Sequence, residues 1–421
     1  MGKANVSTTE SGQASRLNRL KVYPRLELHI SFSDLAASLF SFFHSSAREQ
    51  HIKEIQSFWK SDKEVLVTLC VRTSLDLLLQ SLNLPSGSEV LMSAVNIRDM
   101  VEVVKRHGLV PVPVDISLDT LAPSVQLLES LICKKSRVFL VAHLFGSIIN
   151  LEPYAQLCKK HNILLVEDCA QGFAGTNYYG YEDADVSFFS FGPIKSCTAL
   201  GGAVTLIQDE TLAEKMKSIE EQYPCKSEFW FLKRVLKYFG LKFFSIPWIY
   251  FYLLAVLKLL NRDLDAVINS LTRGFAQGDI LSKIRYRPPH RMVELLSRRL
   301  RTCNNNWFER RESKVQQFLS LVLPEIDCPG NKAEYHSFWV FPVLVSNPEW
   351  LMASLRVKGF DATRGNTSLT CIEDLRSHNK QVASYPLNGK RLIDDVLYLP
   401  VSASLPEKEV KYLAELINNL Y

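Results

Sequence analysis

No two of the cysteines in this chain are spaced as CxxC. The nine of them, at positions 70, 133, 158, 169, 197, 225, 303, 328 and 371, lie far apart and are odd in number. Neither a disulfide framework nor a structural zinc site is indicated, no other metal site stands out, and a reduced, cytoplasmic setting is expected. Glycine and proline, 18 each among 421 residues, are too sparse for collagen-like or low-complexity architecture. An excess of one charge is also missing: 49 Lys and Arg against 44 Asp and Glu leave +5. That balance does not point to a nucleic-acid partner. In the most apolar region the uncharged run, Phe243 to Leu257, is 15 residues and contains Pro247, short of the roughly 20 a bilayer crossing needs. The amino-terminal MGKANVSTTESGQASRLNR has no apolar core behind its positive charges, so a secretory signal is not expected. Gly2 with Ser7 and Thr8 loosely suits acylation, but Val6 stands where Ser or Thr is needed, and a frayed tail is the better expectation. What remains, 47% hydrophobic and 22% charged, is the composition of a globular chain.

From about Lys63 short β-branched runs alternate with amphipathic stretches. Strands are expected at Val65–Leu69, Glu89–Met92, Val110–Val114, Arg137–Val141, Leu164–Glu167, Val186–Ser190 and Gly202–Ile207. Helices are expected at Ser74–Leu82, Asp99–His107, Pro123–Leu131 (with the proline in the first helical position) and Leu151–Lys160. This alternation implies βαβ units and a mostly parallel sheet buried on both faces, so an α/β fold. Beyond Pro288 a helix over Arg291–Arg311, a strand within His336–Val345, a helix at Trp350–Lys358, a strand at Val396–Leu399 and a helix at Glu407–Leu420 describe a smaller α+β domain. The organisation read from this is a tail and helical segment over 1–62, a large domain over 63–225, an insertion over 226–287, and a small domain over 288–421.

Ligands on parallel sheets collect at the carboxyl ends of strands. There the chain offers Leu164-Leu-Val-Glu-Asp-Cys-Ala-Gln171, an apolar strand ending in an acid. It also offers Ser187-Phe-Phe-Ser-Phe-Gly-Pro-Ile-Lys195, a lysine in the loop after an aromatic strand, followed by Gly201-Gly202. An acid, a lysine and a glycine-rich bend suit pyridoxal 5'-phosphate, which needs a carboxylate for its ring nitrogen, an amine for its aldehyde and donors for its phosphate. Taken alone, Asp168 reads equally as a helix cap and Lys195 as a solvated loop residue; their conjunction carries the reading. Cys169 and Cys197 flank these groups without a basic partner of their own and read as packing.

These motifs, together with Val141-Ala-His-Leu-Phe-Gly146 and Leu397-Tyr-Leu-Pro-Val-Ser-Ala-Ser-Leu-Pro406, resemble the DegT/DnrJ-type pyridoxal-phosphate-dependent sugar aminotransferases. The resemblance is tightest over 63–208. It implies the aspartate-aminotransferase-like fold type I and a homodimer. It further implies transfer of an amino group from a donor such as glutamate to a keto group of a sugar or lipid-linked acceptor. Lys195 would then form the Schiff base and move the proton, and Asp168 would pair with the ring nitrogen. Gln171 would lie near the ring oxygen, Ser190 would reach the phosphate, and Thr73 and Ser74 would form the turn that cradles it. Ile97 falls where an aromatic normally stacks on the ring. His143 and Arg364 are candidates toward substrate, with a structural hydrogen bond and a surface salt bridge as their alternatives. Two departures stand out. Thr198-Ala-Leu-Gly-Gly replaces the commoner Thr-Gly-Glu-Gly-Gly. Pro289 stands where an Asn reaches the partner's phosphate, with Arg287 or His290 as substitutes. A dehydratase of this family would replace the lysine, and a non-catalytic paralogue would use the fold as a scaffold; retention of Lys195 and Asp168 opposes both.

Residues 229–260 mix Phe, Trp and Tyr with Lys233, Arg234, Lys237, Lys242 and Lys258, and contain no acid. That is the composition of a segment lying in a membrane interface, and peripheral contact with a cytoplasmic membrane face is expected. The alternative is a helical hairpin buried against a dimer partner.

Overall fold

Val- and Leu-rich strands with no polar alternation have to be covered on both faces, and in this chain they are. The computed structural model describes residues 21–420 apart from 26, 45, 261, 263–278, 366–367, 375 and 377–384. The acylation reading of the first residues and part of the expected insertion lie outside them. The central sheet contains β1 (Glu64–Thr68), β2 (Glu89–Ser93), β4 (Val110–Val114), β5 (Ser136–Ala142), β7 (Leu164–Cys169), β8 (Val186–Ser190) and β9 (Ala203–Ile207). Its seven strands run in the order β1-β9-β8-β7-β5-β2-β4. All pairings are parallel except those of β9, which is antiparallel to both β1 and β8. Helices α3 (Val71–Leu82), α4 (Arg98–Arg106), α6 (Glu152–His161) and α7 (Glu210–Glu221) link and cover these strands.

Two expectations are corrected. Pro123 does not begin a helix. It pairs in an isolated bridge with Ile116, and Ser124 caps α5 (Val125–Leu131) by accepting from Leu127 N at 3.2 Å. The expected long helix Arg291–Arg311 is two helices, His290–Arg301 and Asn306–Leu319. They are split where the Asn305 amide turns to Thr176 Oγ1 (2.7 Å) and Asn177 Oδ1 (2.6 Å).

Helices α1 (Phe32–Phe40), α2 (Arg48–Trp59), α8 (Glu228–Phe244) and His290–Arg301 share one core with the aromatic residues of β8. In α1 a capping box closes the first turn: Asp34 N donates to Ser31 Oγ at 3.0 Å and the Asp34 carboxylate takes the Ser31 N–H. A second core joins Phe341–Leu344, its antiparallel partner Val396–Leu399 and the helices Pro348–Val357 and Glu407–Leu420. The amino-terminal segment is fastened to it by Arg25, whose Nε and Nη2 lie 2.7 and 2.8 Å from the buried Asp361 carboxylate.

The loop after β5 makes the close join between the two cores. Gly146 has φ +106°, and a Cβ there would stand 2.7 Å from Trp339 N and 2.9 Å from Phe338 N. Gly146→Ala is therefore expected to lower stability by about 2–4 kcal/mol, left-handed strain plus overpacking against backbone. Urea unfolding of the variant checks this; a midpoint equal to the parent's would contradict it.

Candidate active site

Asp168 and Ser190 sit at the carboxyl ends of β7 and β8, which pair through Asp168↔Phe188 and Cys169↔Phe189. Neighbouring strands are roughly 4.8 Å apart, so the acid and the hydroxyl open on the same edge of the sheet. Lys195 follows in a loop strapped by Thr198, whose Oγ1 donates to Gly192 O at 2.7 Å and accepts from Leu200 N at 2.9 Å. Cys197, with φ 53°, bends that loop and donates its N–H to His29 Nδ1 at 2.9 Å. A Cβ on Gly192 would lie 3.7 Å from both Ser190 Oγ and Lys195 Cγ, so these two side chains converge over one glycine.

The electrostatics suit a receptive amine. Burial lowers Lys195 to about 7, with the nearby Asp168 charge opposing and Arg72 reinforcing the shift. Its Nζ rests 3.8 Å from the centre of the Trp339 ring, and Trp339 is held by an Nε1–H bond to Ile194 O at 2.8 Å. Asp168 is shifted the other way: burial raises it, while the Ala170 N–H and the Lys195 charge hold it partly down. Its Oδ1 accepts from Ala170 N at 2.9 Å; no side-chain cation bonds it among the described residues.

Glu167, one residue earlier and on the opposite face, builds a structural network. Burial would raise it, but hydrogen bonds from His143 and Tyr178 bring it to about 2. His143 Nδ1 accepts from Ile149 N (3.1 Å), so Nε2 carries the proton and donates to Glu167 Oε1 (2.8 Å). Both ring nitrogens are spent, and the structural alternative for His143 holds over a substrate role. Gln171 Oε1 accepts from Phe145 N at 2.8 Å, placing its amide beside the site. Ile97 ends β3 (Val95–Ile97) and caps α4.

Other expected residues are directed elsewhere. The Thr73 hydroxyl donates to Ile284 O (2.8 Å), and Ser74 Oγ lies 2.8 Å from Thr68 Oγ1 and 2.7 Å from Thr205 Oγ1. Both hydroxyls are spent on interior partners, and the backbone N–H groups of Thr73 and Ser74, through which the turn was expected to cradle a phosphate, bond to Cys70 O at 2.9 and 3.2 Å. Arg364 is held by Glu349 (3.1 Å) and the carbonyl oxygens of Ile393 and Asp394, which makes it a surface salt bridge. Arg287 Nε donates to Tyr223 O (3.0 Å) and His290 Nε2 lies 2.9 Å from Ser46 Oγ. In their place the fold brings in Trp339 and Arg72. The sequence marks neither.

Residues 46–240 match the model of the DegT/DnrJ/EryC1/StrS aminotransferase family. That match covers a little under half of the chain. GDP-perosamine synthase of Escherichia coli O157:H7 is 28% identical over 176 residues, 40% of this chain and 48% of that protein. The chain thus spans about half the length of that curated relative. Helicobacter pylori PseC, an aminotransferase of pseudoaminic acid biosynthesis, superimposes with a TM-score of 0.69 at 16% identity, over 95% of this chain and 100% of PseC. Escherichia coli GDP-4-keto-6-deoxy-D-mannose-3-dehydratase with bound hydrated PLP gives 0.66 at 15% identity, over 94% and 100%. The fold is that of the fold type I enzymes.

The residues present fit pyridoxal 5'-phosphate. Among the described residues the buried Asp168 has no side-chain cation bonded to it, and the Lys195 amine rests against an aromatic face with the Ser190 hydroxyl converging on the same glycine.

Proposed function

We propose that the protein is a pyridoxal-phosphate-dependent aminotransferase that moves an amino group from a small amino donor, such as glutamate, to a keto group on a sugar-type acceptor. One arrangement carries the reading: a buried carboxylate, Asp168, at the end of β7, and a lysine in the loop after β8 whose Nζ rests 3.8 Å from the Trp339 ring centre and whose side chain converges with the Ser190 hydroxyl over Gly192. When bound, the cofactor supplies an aldehyde and an electron-withdrawing ring. Lys195, whose amine burial brings to about half neutral near pH 7, would hold the aldehyde and serve as the base that moves a proton at its Nζ. Asp168, held by the Ala170 N–H, would offer its carboxylate to the ring nitrogen and favour the protonated ring. Trp339 covers the amine, and Ile97 would take the place of the aromatic at the ring face. The same reading makes the protein a homodimer. Adding glutamate and other amino donors to the loaded protein tests it. A lysine-bound visible band that collapses with one donor supports the transferase, and a band indifferent to every donor contradicts it.

The proposal extends to peripheral attachment to an anionic lipid surface through α8 and α9 (Pro247–Leu259). The inner stripe of α8 is Phe231, Val235 and Tyr238. On α9 only Tyr250 is buried, bonded to Asp361 at 2.5 Å. Trp248, Tyr252, Val256 and Leu259, at helical spacing, are exposed by 47 to 86%. Lys233, Lys237 and Lys258 are exposed around them with no acid between Glu228 and Asp263, which matches a negatively charged bilayer at about 1 kcal/mol per cation. Among the described residues no single helix is long and apolar enough to cross a membrane; α8 and α9 meet at 97°. The intact protein is expected to float with phosphatidylserine-containing vesicles and not with neutral ones, and W248S/L259S to lose flotation. Absence of flotation, or dissociation of a dimer by W248S/L259S, would contradict the attachment and assign the surface to a second copy.

A further inference from the structure

The insertion also does something inside the molecule. Arg234, on α8 between the buried Phe231 and Tyr238, turns inward and donates its Nε–H to Leu200 O. That carbonyl opens the glycine pair: Gly201 N donates to Phe191 O and Gly202 N to Leu69 O, both at 3.0 Å. Arg234 Nε stands 4.0 Å from where a Cβ on Gly201 would be. The pair is thereby pinned on the entry to α3, whose Thr73 and Ser74 amides already bond to Cys70 O (2.9 and 3.2 Å). The first amides of this helix remain its open end. Arg72 is the second residue of α3, its Nε 3.1 Å from Asp99 Oδ2. Ser190 pairs with Ala203 directly after the glycines. Arg234 forms no ion pair among the described residues, and burial disfavours its charge, with Arg72 adding repulsion. The Arg72 and Arg234 guanidinium groups thus lie within electrostatic reach of one another beside the entry to α3, and the half-exposed Asp99 carboxylate pairs with Arg72.

We propose that Arg72 and Arg234, with the Ser190 hydroxyl, grip the phosphate of the cofactor from within a single chain, replacing the donor lost at Pro289 and the hydroxyls turned inward at Thr73 and Ser74. The assignment rests on the cofactor reading above. Guanidinium groups suit a phosphate dianion because each offers paired N–H donors in a plane, and a dianion relieves the repulsion between them. The helix entry adds its own partial positive charge. In this arrangement the insertion is part of the cofactor site and not only a surface appendage.

The test compares pyridoxal 5'-phosphate with pyridoxal, the same aldehyde and ring without the phosphate, by absorbance titration of the full-length apoprotein. The parent is expected to prefer the phosphorylated form by at least about 100-fold. R72M and R234M should each weaken its binding by about 10- to 100-fold, the range for a lost charge-assisted hydrogen bond, while pyridoxal binding, compared at about pH 9 where the loss of the Arg72 charge no longer decides the protonation of Lys195, is retained. R234K, retaining charge but not the fork, should fall between. Inorganic phosphate should compete with the cofactor in the parent and much less in R72M/R234M. Variants that bind both aldehydes as the parent does overturn the assignment, and so do variants that lose both equally. A parent that captures pyridoxal as well as its phosphate overturns the assignment and leaves the aminotransferase reading standing. A parent that captures neither overturns both.

Discussion

Lys195→Ala is expected to abolish the lysine-bound cofactor band and reduce transamination to background. No other described lysine is placed against the Asp168 carboxylate in the electrostatics of the site. The effect should be at least 10³-fold, since both attack on the aldehyde and proton transfer reside in one amine; proton transfer alone is worth about 10²–10⁴-fold. The same residue sets a pH dependence. A lysine ordinarily loses its proton near 10.5, whereas burial brings Lys195 to about 7. Cofactor capture by the apoprotein should therefore rise through pH 7 and level off by about pH 8. The sign for stability follows. Between about 7 and 10.5 the unfolded chain holds a proton that the folded chain has released, so this residue makes the apoprotein less stable as pH falls across that window. Capture that keeps rising past pH 10 would mean a solvated amine.

The second large effect is expected at Asp168. Asp168→Asn preserves the shape and the acceptor for the Ala170 N–H, and removes only the charge. Turnover should fall about 10²–10³-fold, on the order of the 3–5 kcal/mol lost when one member of a buried ion pair is taken away. Cofactor binding through Lys195 should survive. Because the Asp168 charge holds the lysine pKa up, its removal should also move the capture midpoint to lower pH than in the parent. A purely structural Asp168 would lower stability without moving that midpoint, and single-wavelength capture across pH separates the two.

Much of the sheet was legible in the sequence because its strands are short unbroken β-branched runs between turn residues. Val110–Val114, Val186–Ser190 and Val396–Leu399 have the expected limits in the structure. The errors arose where side chains compete for the backbone. Ser124 captures the cap that proline geometry suggested for Pro123, and Asn305 turns to a distant loop at the point where helical period alone continues. At the site, the strand-end acid and the loop lysine follow from local pattern and the strand order. Trp339 and Arg72 do not, because the first arrives through the Gly146 junction with the small domain and the second through the direction of one helix turn. Arg234 is the clearest case. As one of several cations among aromatics it reads as an interface residue, and only the helix phase set by Phe231, Val235 and Tyr238 turns it inward.

Borohydride reduction of the protein loaded with pyridoxal 5'-phosphate, followed by peptide mapping, puts the central claim to its most direct test. The added mass should fall on the peptide carrying Lys195, and the parent and Asp168→Asn should both be labelled there. Label spread over surface lysines, or none on that peptide, would contradict the account.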